Sequence, residues 1–134
     1  MKILDLDNKE RIWSLHGYTV NGGNDRAARS QYHLKARQLL REAFPTLTVL
    51  EEVGIPIRRG EMVYVDFYIP LRRLAFEVQG EQHFKYIPHF HHTLSNFRKA
   101  KTRDYDKKRW LEQNGITLVE FCYNETIEEW KNKL

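Results

Sequence analysis

Two carboxylates stand where a folding chain should avoid leaving them. Asp66 interrupts the run Val63-Tyr64-Val65-Asp66-Phe67-Tyr68-Ile69, and Glu77 interrupts Leu74-Ala75-Phe76-Glu77-Val78. Both runs are rich in β-branched and aromatic residues and read as strands. Alternation puts Val63, Val65, Phe67 and Ile69 on one face of the first strand, with Tyr64, Asp66 and Tyr68 on the other. It puts Glu77 and Gln79 on one face of the second. A charge buried in a strand is costly unless something compensates it. If the two strands are neighbours, Asp66, Glu77 and Gln79 surround one point. Two carboxylates and an amide oxygen form a hard-oxygen pocket suited to Mg²⁺, which would neutralise both acids.

A helix downstream is built to reach that point. Phe97, Ala100, Asp104, Lys107 or Lys108, Leu111 and Asn114 recur at spacings of 3 or 4 and share one helical face. Asp104 and Lys107 therefore lie on the stripe that the apolar members assign to the core. His83 follows Gln79 by four residues, where the strand gives way to a loop, and it can reach the same point. The histidines of His89-Phe90-His91-His92 match no zinc-finger spacing and have no cysteine to assist them, so phosphate or base contact or loop packing is expected there.

The elements that must position these residues follow from punctuation and period. Residues 1–25 read as a hairpin appendage, with a polar turn at Asp7-Asn8-Lys9 and a Gly/Asn-rich boundary at 21–26. Residues 26–134 form the main domain. A first helix is expected over 27–44, stopped by Pro45, with Tyr32, Ala36, Leu39, Leu40 and Ala43 as its apolar stripe. A strand over 46–53 precedes a turn over 54–61 with a basic tip. Strands over 62–70 and 72–79 follow, antiparallel across the short 71–73 turn. A long polar and aromatic loop spans 80–97, and loops of that length in a small domain usually carry function. A helix over 96–114 ends at Gly115, then a strand over 116–123 and a terminal helix complete an α/β sheet with helices packed on it.

The bulk composition fits that outline. The chain has 134 residues, 41% hydrophobic and 30% charged, enough for one domain with a real core. A net charge of +4, with 18 acids retained, fits a nucleic-acid partner. One cysteine, Cys122, excludes an internal disulfide and any Cys-rich zinc site and points to a reducing compartment. No apolar run approaches a membrane span, and Met1–Glu10 has no signal-peptide core, so a cytoplasmic location is expected.

The ordered pieces Asp66, ten residues, Glu77-x-Gln79-Gly80, His83, and Asp104-x-x-Lys107 before Leu111-Glu112-Gln113-Asn114-Gly115-Ile116 resemble the PD-(D/E)XK nuclease superfamily. The likeness is to its small branch of very-short-patch repair endonucleases and phage-type EDxHD homing endonucleases, and it covers roughly residues 27–123. It implies a restriction-endonuclease-like central mixed β-sheet flanked by helices and metal-dependent hydrolysis of DNA phosphodiesters, with Mg²⁺ or Mn²⁺ as cofactor. Asp66 would be the central metal ligand, joined by Glu77 and Gln79. His83 would serve as acid, base or phosphate ligand, Asp104 would polarise it, and Lys107 would lie near a phosphate. Two departures stand out. Gln79 replaces the usual Lys, Asp or Glu, and His33 falls where relatives carry a helix Glu, which makes it a candidate site residue. Arg29 and Arg37 beside the core stripe of the first helix, with Lys85 and His91, would contact DNA. One active site per chain favours nicking. The rival expectation is a DNA-binding module whose nuclease centre has decayed.

Overall fold

The computed structural model describes residues 1–15, 19–20, 30–81 and 87–134, without the side chains of Thr19, Val20, His89 and Phe90. Strands β1 (Lys2–Leu4) and β2 (Glu10–Ile12) form an antiparallel hairpin. The Asp5 carboxylate holds its turn together, accepting from the Asp7 and Lys9 backbone at 2.9 Å and from Arg11 Nε at 2.6 Å. The Arg11 hydrogen bond, helped by those backbone donors, keeps the Asp5 carboxyl below its ordinary value.

The main sheet has five strands in the order β3-β4-β5-β6-β7: β3 (Thr19–Val20), β4 (Leu50–Arg58), β5 (Glu61–Ile69), β6 (Leu74–Gln79) and β7 (Thr117–Cys122). Pairing is antiparallel except between β6 and β7, which run parallel. The sheet is therefore mixed, and the parallel pair requires a crossover. That crossover carries α2 (Pro88–His91) and α3 (Leu94–Gln113). Helix α1 (Gln31–Ala43) starts at Ser30, whose hydroxyl accepts from the His33 N–H, and α4 (Ile127–Lys131) follows β7. Gly115, at φ +70°, lets the chain leave α3 as the sequence predicts. No helix among the described residues is long and apolar enough to cross a membrane.

Helices cover both faces of the sheet. On one, α1 and α4 bring Ala36, Leu39, Leu40 and Trp130 against Phe67, Ile69, Phe76 and Phe121. On the other, Trp110 and Leu111 of α3 pack with Val53, Ile55, Ile57, Val63, Val65, Tyr68 and Ala75. The hairpin shares this second core through Ile3 and Trp13, and the Trp13 ring lies 5.0 Å from both Tyr68 and Trp110. Its indole N–H donates to the Gly54 carbonyl at 2.8 Å. Gln113 of α3 and Asn114, which caps it, bind the backbone of Leu4 and Asp5.

Three expectations change. The turn expected over 54–61 is strand as far as Arg58, and the reversal is confined to the short link to Glu61. Gly54 and Pro56 read as breakers. Instead Gly54 offers its carbonyl to Trp13, and Pro56 sits beside a register irregularity, where a missing N–H is tolerated. Helix α3 begins at Leu94, capped by the Thr93 side chain on the Asn96 N–H. Finally, Val63, Val65, Phe67 and Ile69 do not share a face: the first two pack under α3 and the last two under α1. The facing strand changes sides at the same level, where Glu52 takes φ +50° between Glu51 and Val53. Pairing of β5 to β6 stops at Phe67 and Phe76, and Asp66 lies just beyond it.

Side chains cover the C-terminal end of the outer edge of β7. Trp130 Nε1 donates to the Cys122 carbonyl at 3.0 Å, Lys133 Nζ to the Glu120 carbonyl at 2.7 Å, and the Cys122 N–H donates to Glu125 Oε1 at 2.7 Å.

Trp13→Ala should cost about 3–5 kcal/mol, the range for emptying a buried aromatic site. Urea unfolding followed by tryptophan fluorescence measures it, and a loss near zero would mean the hairpin hangs free of the core.

Candidate active site

Asp66 stands where β5 parts from β6. Its Oδ2 accepts from the Val78 N–H at 2.7 Å, taking the place of the backbone acceptor that the diverging strand no longer supplies. This sets the Asp66 carboxylate beside Glu77, near enough for its negative charge to act on the Glu77 carboxyl. Glu77 is 5% exposed, and Lys107 reaches it from α3, Nζ to Oε1 at 2.6 Å. Arginines near the β5–β6 turn do not serve Asp66: Arg73 turns instead to the Asn114 carbonyl at 2.6 Å.

Four carboxylates are buried among the described residues, and each has a basic partner: Asp5 with Arg11, Glu51 with His33 and Arg37, Asp106 with Arg58, and Glu77 with Lys107. Glu77 behaves differently from the rest. Burial first, and then the negative charge of Asp66, push its carboxyl well above the usual carboxylate range against the pull of Lys107. A carboxyl raised by desolvation and a like charge is the kind of group found at functional centres.

Gln79 extends the same face. Its Nε2 donates to Glu120 Oε2 at 3.3 Å, and Glu120, in register with Glu77 across the parallel pair, meets Lys108 at 3.0 Å. The Gln79 Oε1 is buried and has no hydrogen-bond partner among the described residues. Two consecutive lysines of α3 thus sit over two glutamates of adjacent strands. Glu120 was not anticipated, although a carboxylate within the strand-like run 117–122 is the same signal that marked Asp66 and Glu77.

The predicted set is only partly assembled. Asp66, Glu77 and Lys107 are together, Gln79 shares their face, and Asp104 lies half-buried one turn before Lys107. His83, Arg29 and Lys85 lie outside the described residues. His33 and Arg37 belong to a separate cluster under α1. There His33 Nε2 lies 2.9 Å from Glu51 Oε1 and its ring stacks on Phe67 at 4.6 Å, and Arg37 meets the same oxygen at 3.0 Å. Arg37 is thereby engaged inside the protein instead of on an open DNA face. His91 is also in a packing position, 8% exposed, with its Nδ1 accepting from the Ile87 N–H at 3.0 Å and its ring edge-on to Phe97.

The donors present suit a hard divalent cation: neighbouring carboxylates of Asp66 and Glu77 and, on the same face, an amide oxygen of Gln79 that has no partner among the described residues. Among the described residues no three His, Cys, Asp or Glu side chains group to hold a metal. Any such ion would therefore rely on Asp66, Glu77 and the Gln79 carbonyl.

The sequence is similar to three viral proteins. It is 42% identical over 59 residues to uncharacterized protein 307L of Invertebrate iridescent virus 6, covering 44% of this chain and 30% of that protein. It is 32% identical over 77 residues to uncharacterized protein 094L of Frog virus 3 (isolate Goorha), covering 56% of this chain and 50% of that one. With uncharacterized protein 033L of Invertebrate iridescent virus 3 it shares 26% identity over 129 residues, 90% of this chain and 62% of the relative. The chain thus spans less than two thirds of the length of each. No family model matches the sequence, and no solved structure matches the fold.

Lys107→Met should destabilise the protein by about 3–5 kcal/mol at pH 8, because it strands a buried carboxylate beside another. A raised carboxyl favours the folded state at low pH and loses that contribution as pH rises through its folded value. The Lys107→Met loss, read from denaturant midpoints, should therefore shrink in acid.

Glu51 predicts the opposite. Burial raises its carboxyl, but the hydrogen bonds from His33 and Arg37 outweigh burial and leave it below 4.5. Its contribution is present above that value and is lost as pH falls through the folded value. The stability gap between wild type and Glu51→Gln should be full at neutral pH and close below about pH 4.5. A gap that widens in acid would refute the assignment.

Proposed function

We propose that the chain is a metal-dependent endonuclease that hydrolyses DNA phosphodiesters, nicking one strand per active site. The observation that carries this reading is the half-buried Asp66 carboxylate beside buried Glu77, with Lys107 on Glu77. Structural ion pairs stabilise a charge. This arrangement instead crowds two like charges and leaves one carboxyl poised to hold a proton.

In the reading, Asp66 and Glu77 with the Gln79 carbonyl hold Mg²⁺ or Mn²⁺. When bound, the cation would supply a water of lowered pKa and a Lewis acid for the phosphate. The chain's own groups do the rest. The Val78 N–H holds one Asp66 oxygen and so fixes the direction of the other. Glu77, raised by burial and by Asp66, holds a proton more readily than an exposed glutamate. Lys107 can exchange its bond to Glu77 for a non-bridging phosphate oxygen, offsetting the charge that develops there. His83 as acid or base, oriented by Asp104, belongs to the same proposal.

A second reading, a DNA-binding module with a decayed centre, is favoured by one feature: Lys107 already occupies a Glu77 oxygen at 2.6 Å, and Gln79 adds no charge to attract a cation. Nicking of supercoiled plasmid separates the two. The active reading expects open-circle product with Mg²⁺ or Mn²⁺, none with EDTA, and a loss of about 10²-fold or more in Asp66→Asn and Glu77→Gln, with DNA binding retained. Equal rates in wild type and Asp66→Asn would sink it. DNA binding without metal-dependent nicking would favour the second.

A further inference from the structure

Basic residues of the two long helices differ in what they are free to do. On α1, Arg37 is tied to Glu51 and Lys35 lies over the Trp130 ring at 5.6 Å. On α3, the stretch 94–103 holds Arg98, Lys99, Lys101 and Arg103 with no acid, as much positive charge as the +4 of the whole chain. Arg98, Lys99 and Arg103 are exposed and form no ion pair among the described residues. With the hydroxyls of Ser95 and Thr102 they line one open groove of about 420 Å³.

Spacing explains the groove. Positions 95, 98, 99, 102 and 103 follow the three-and-four rule, so they form one stripe along the outside of α3. The two acids that also border it, Glu61 and Asp106, are both engaged by Arg58, at 3.4 and 3.0 Å. Arg58 offsets part of their charge, and the three basic side chains outnumber them along the groove. Regularly spaced guanidinium and ammonium groups on a rigid helix match the non-bridging phosphate oxygens of a nucleic-acid backbone, without the base contacts that would select a sequence.

We propose that this outer stripe of α3, with Arg98, Lys99 and Arg103 as its charges, grips the phosphate backbone of DNA. The inference rests on the nucleic-acid reading above and moves the contact surface from α1 to α3. The same helix then carries both functions: one turn beyond Arg103, Lys107 meets Glu77. A backbone held on the stripe brings the helix that holds the acid pair up to the duplex.

The test is anisotropy of a fluorescein-labelled DNA duplex across a KCl series in EDTA, using the full chain. R98Q/K99Q/R103Q should weaken binding by about tenfold or more at low salt and reduce the slope of log K against log salt by about 2–3. K2Q/K9Q/K131Q, which removes the same charge elsewhere, should leave the slope within about one unit. Circular dichroism checks both folds, and the single R103E variant repeats the test if the triple variant misfolds. If wild type shows no salt-sensitive binding, the DNA reading falls and takes this surface with it. If wild type binds and the two triple variants weaken alike, binding reports net charge and the α3 assignment alone is overturned. If R98Q/K99Q/R103Q binds DNA normally but loses wild-type binding to phosphatidylserine vesicles, the stripe serves a lipid surface and the assignment is likewise overturned.

Discussion

A buried carboxylate beside a second, half-buried one is a constraint the rest of the fold must satisfy. Asp66 and Glu77 repel, and burial amplifies the repulsion. Three features answer it. Strand β5 leaves β6 beyond Phe67, so Asp66 can spend an oxygen on the Val78 N–H. The crossover from β6 to β7 sends α3 over the sheet face that carries Glu77, with Lys107 in reach. The parallel β6–β7 pairing then adds Glu120 beside Glu77, and α3 matches it with Lys108. Topology and charge are one problem here, since an antiparallel hairpin between β6 and β7 would have no helix to supply the lysines.

The other buried acids are arranged for permanence. Asp5 closes a turn and Glu51 cross-links α1 to the sheet through His33 and Arg37. Each is held ionised by hydrogen bonds made to the charged form. The acid pair at the strand divergence is the exception, and the contrast within one small domain is more informative than either case alone. Here a buried acid has a lysine partner and its carboxyl is still raised.

Much of this was legible in the residues, and the failures share a cause. Asp66 and Glu77 stood out because strand alternation exposes a carboxylate in an apolar run, and Lys107 because helical spacing exposes a charge on a core stripe. Each rests on local periodicity. The cluster of His33, Glu51 and Arg37 was not legible, because it depends on Glu51 pointing toward α1. That follows from a left-handed residue at Glu52, which shifts the phase of β4 and which strand alternation cannot anticipate. The same crossing of phases separates Val65 from Phe67. Gly54 and Pro56 misled for a related reason: they are breakers by local preference, but a tryptophan from the hairpin and an irregular register make use of them. Arg37 shows the limit of reading charge from helical position. Its stripe was right, and what it faced was a carboxylate instead of solvent.

The covered end of β7 bears on strand addition. An unpaired margin offers a row of amide and carbonyl groups to any extended segment, and sheets with bare margins add strands from their neighbours. Here the indole of Trp130, the ammonium of Lys133 and the carboxylate of Glu125 occupy the outward groups of Cys122 and the Glu120 carbonyl, while Thr117 and Leu118 border an open groove. Strand addition at the covered end would have to displace α4 and extract Trp130 from the core it completes. The same indole that fills the core thus also caps the sheet, and losing it would open both at once.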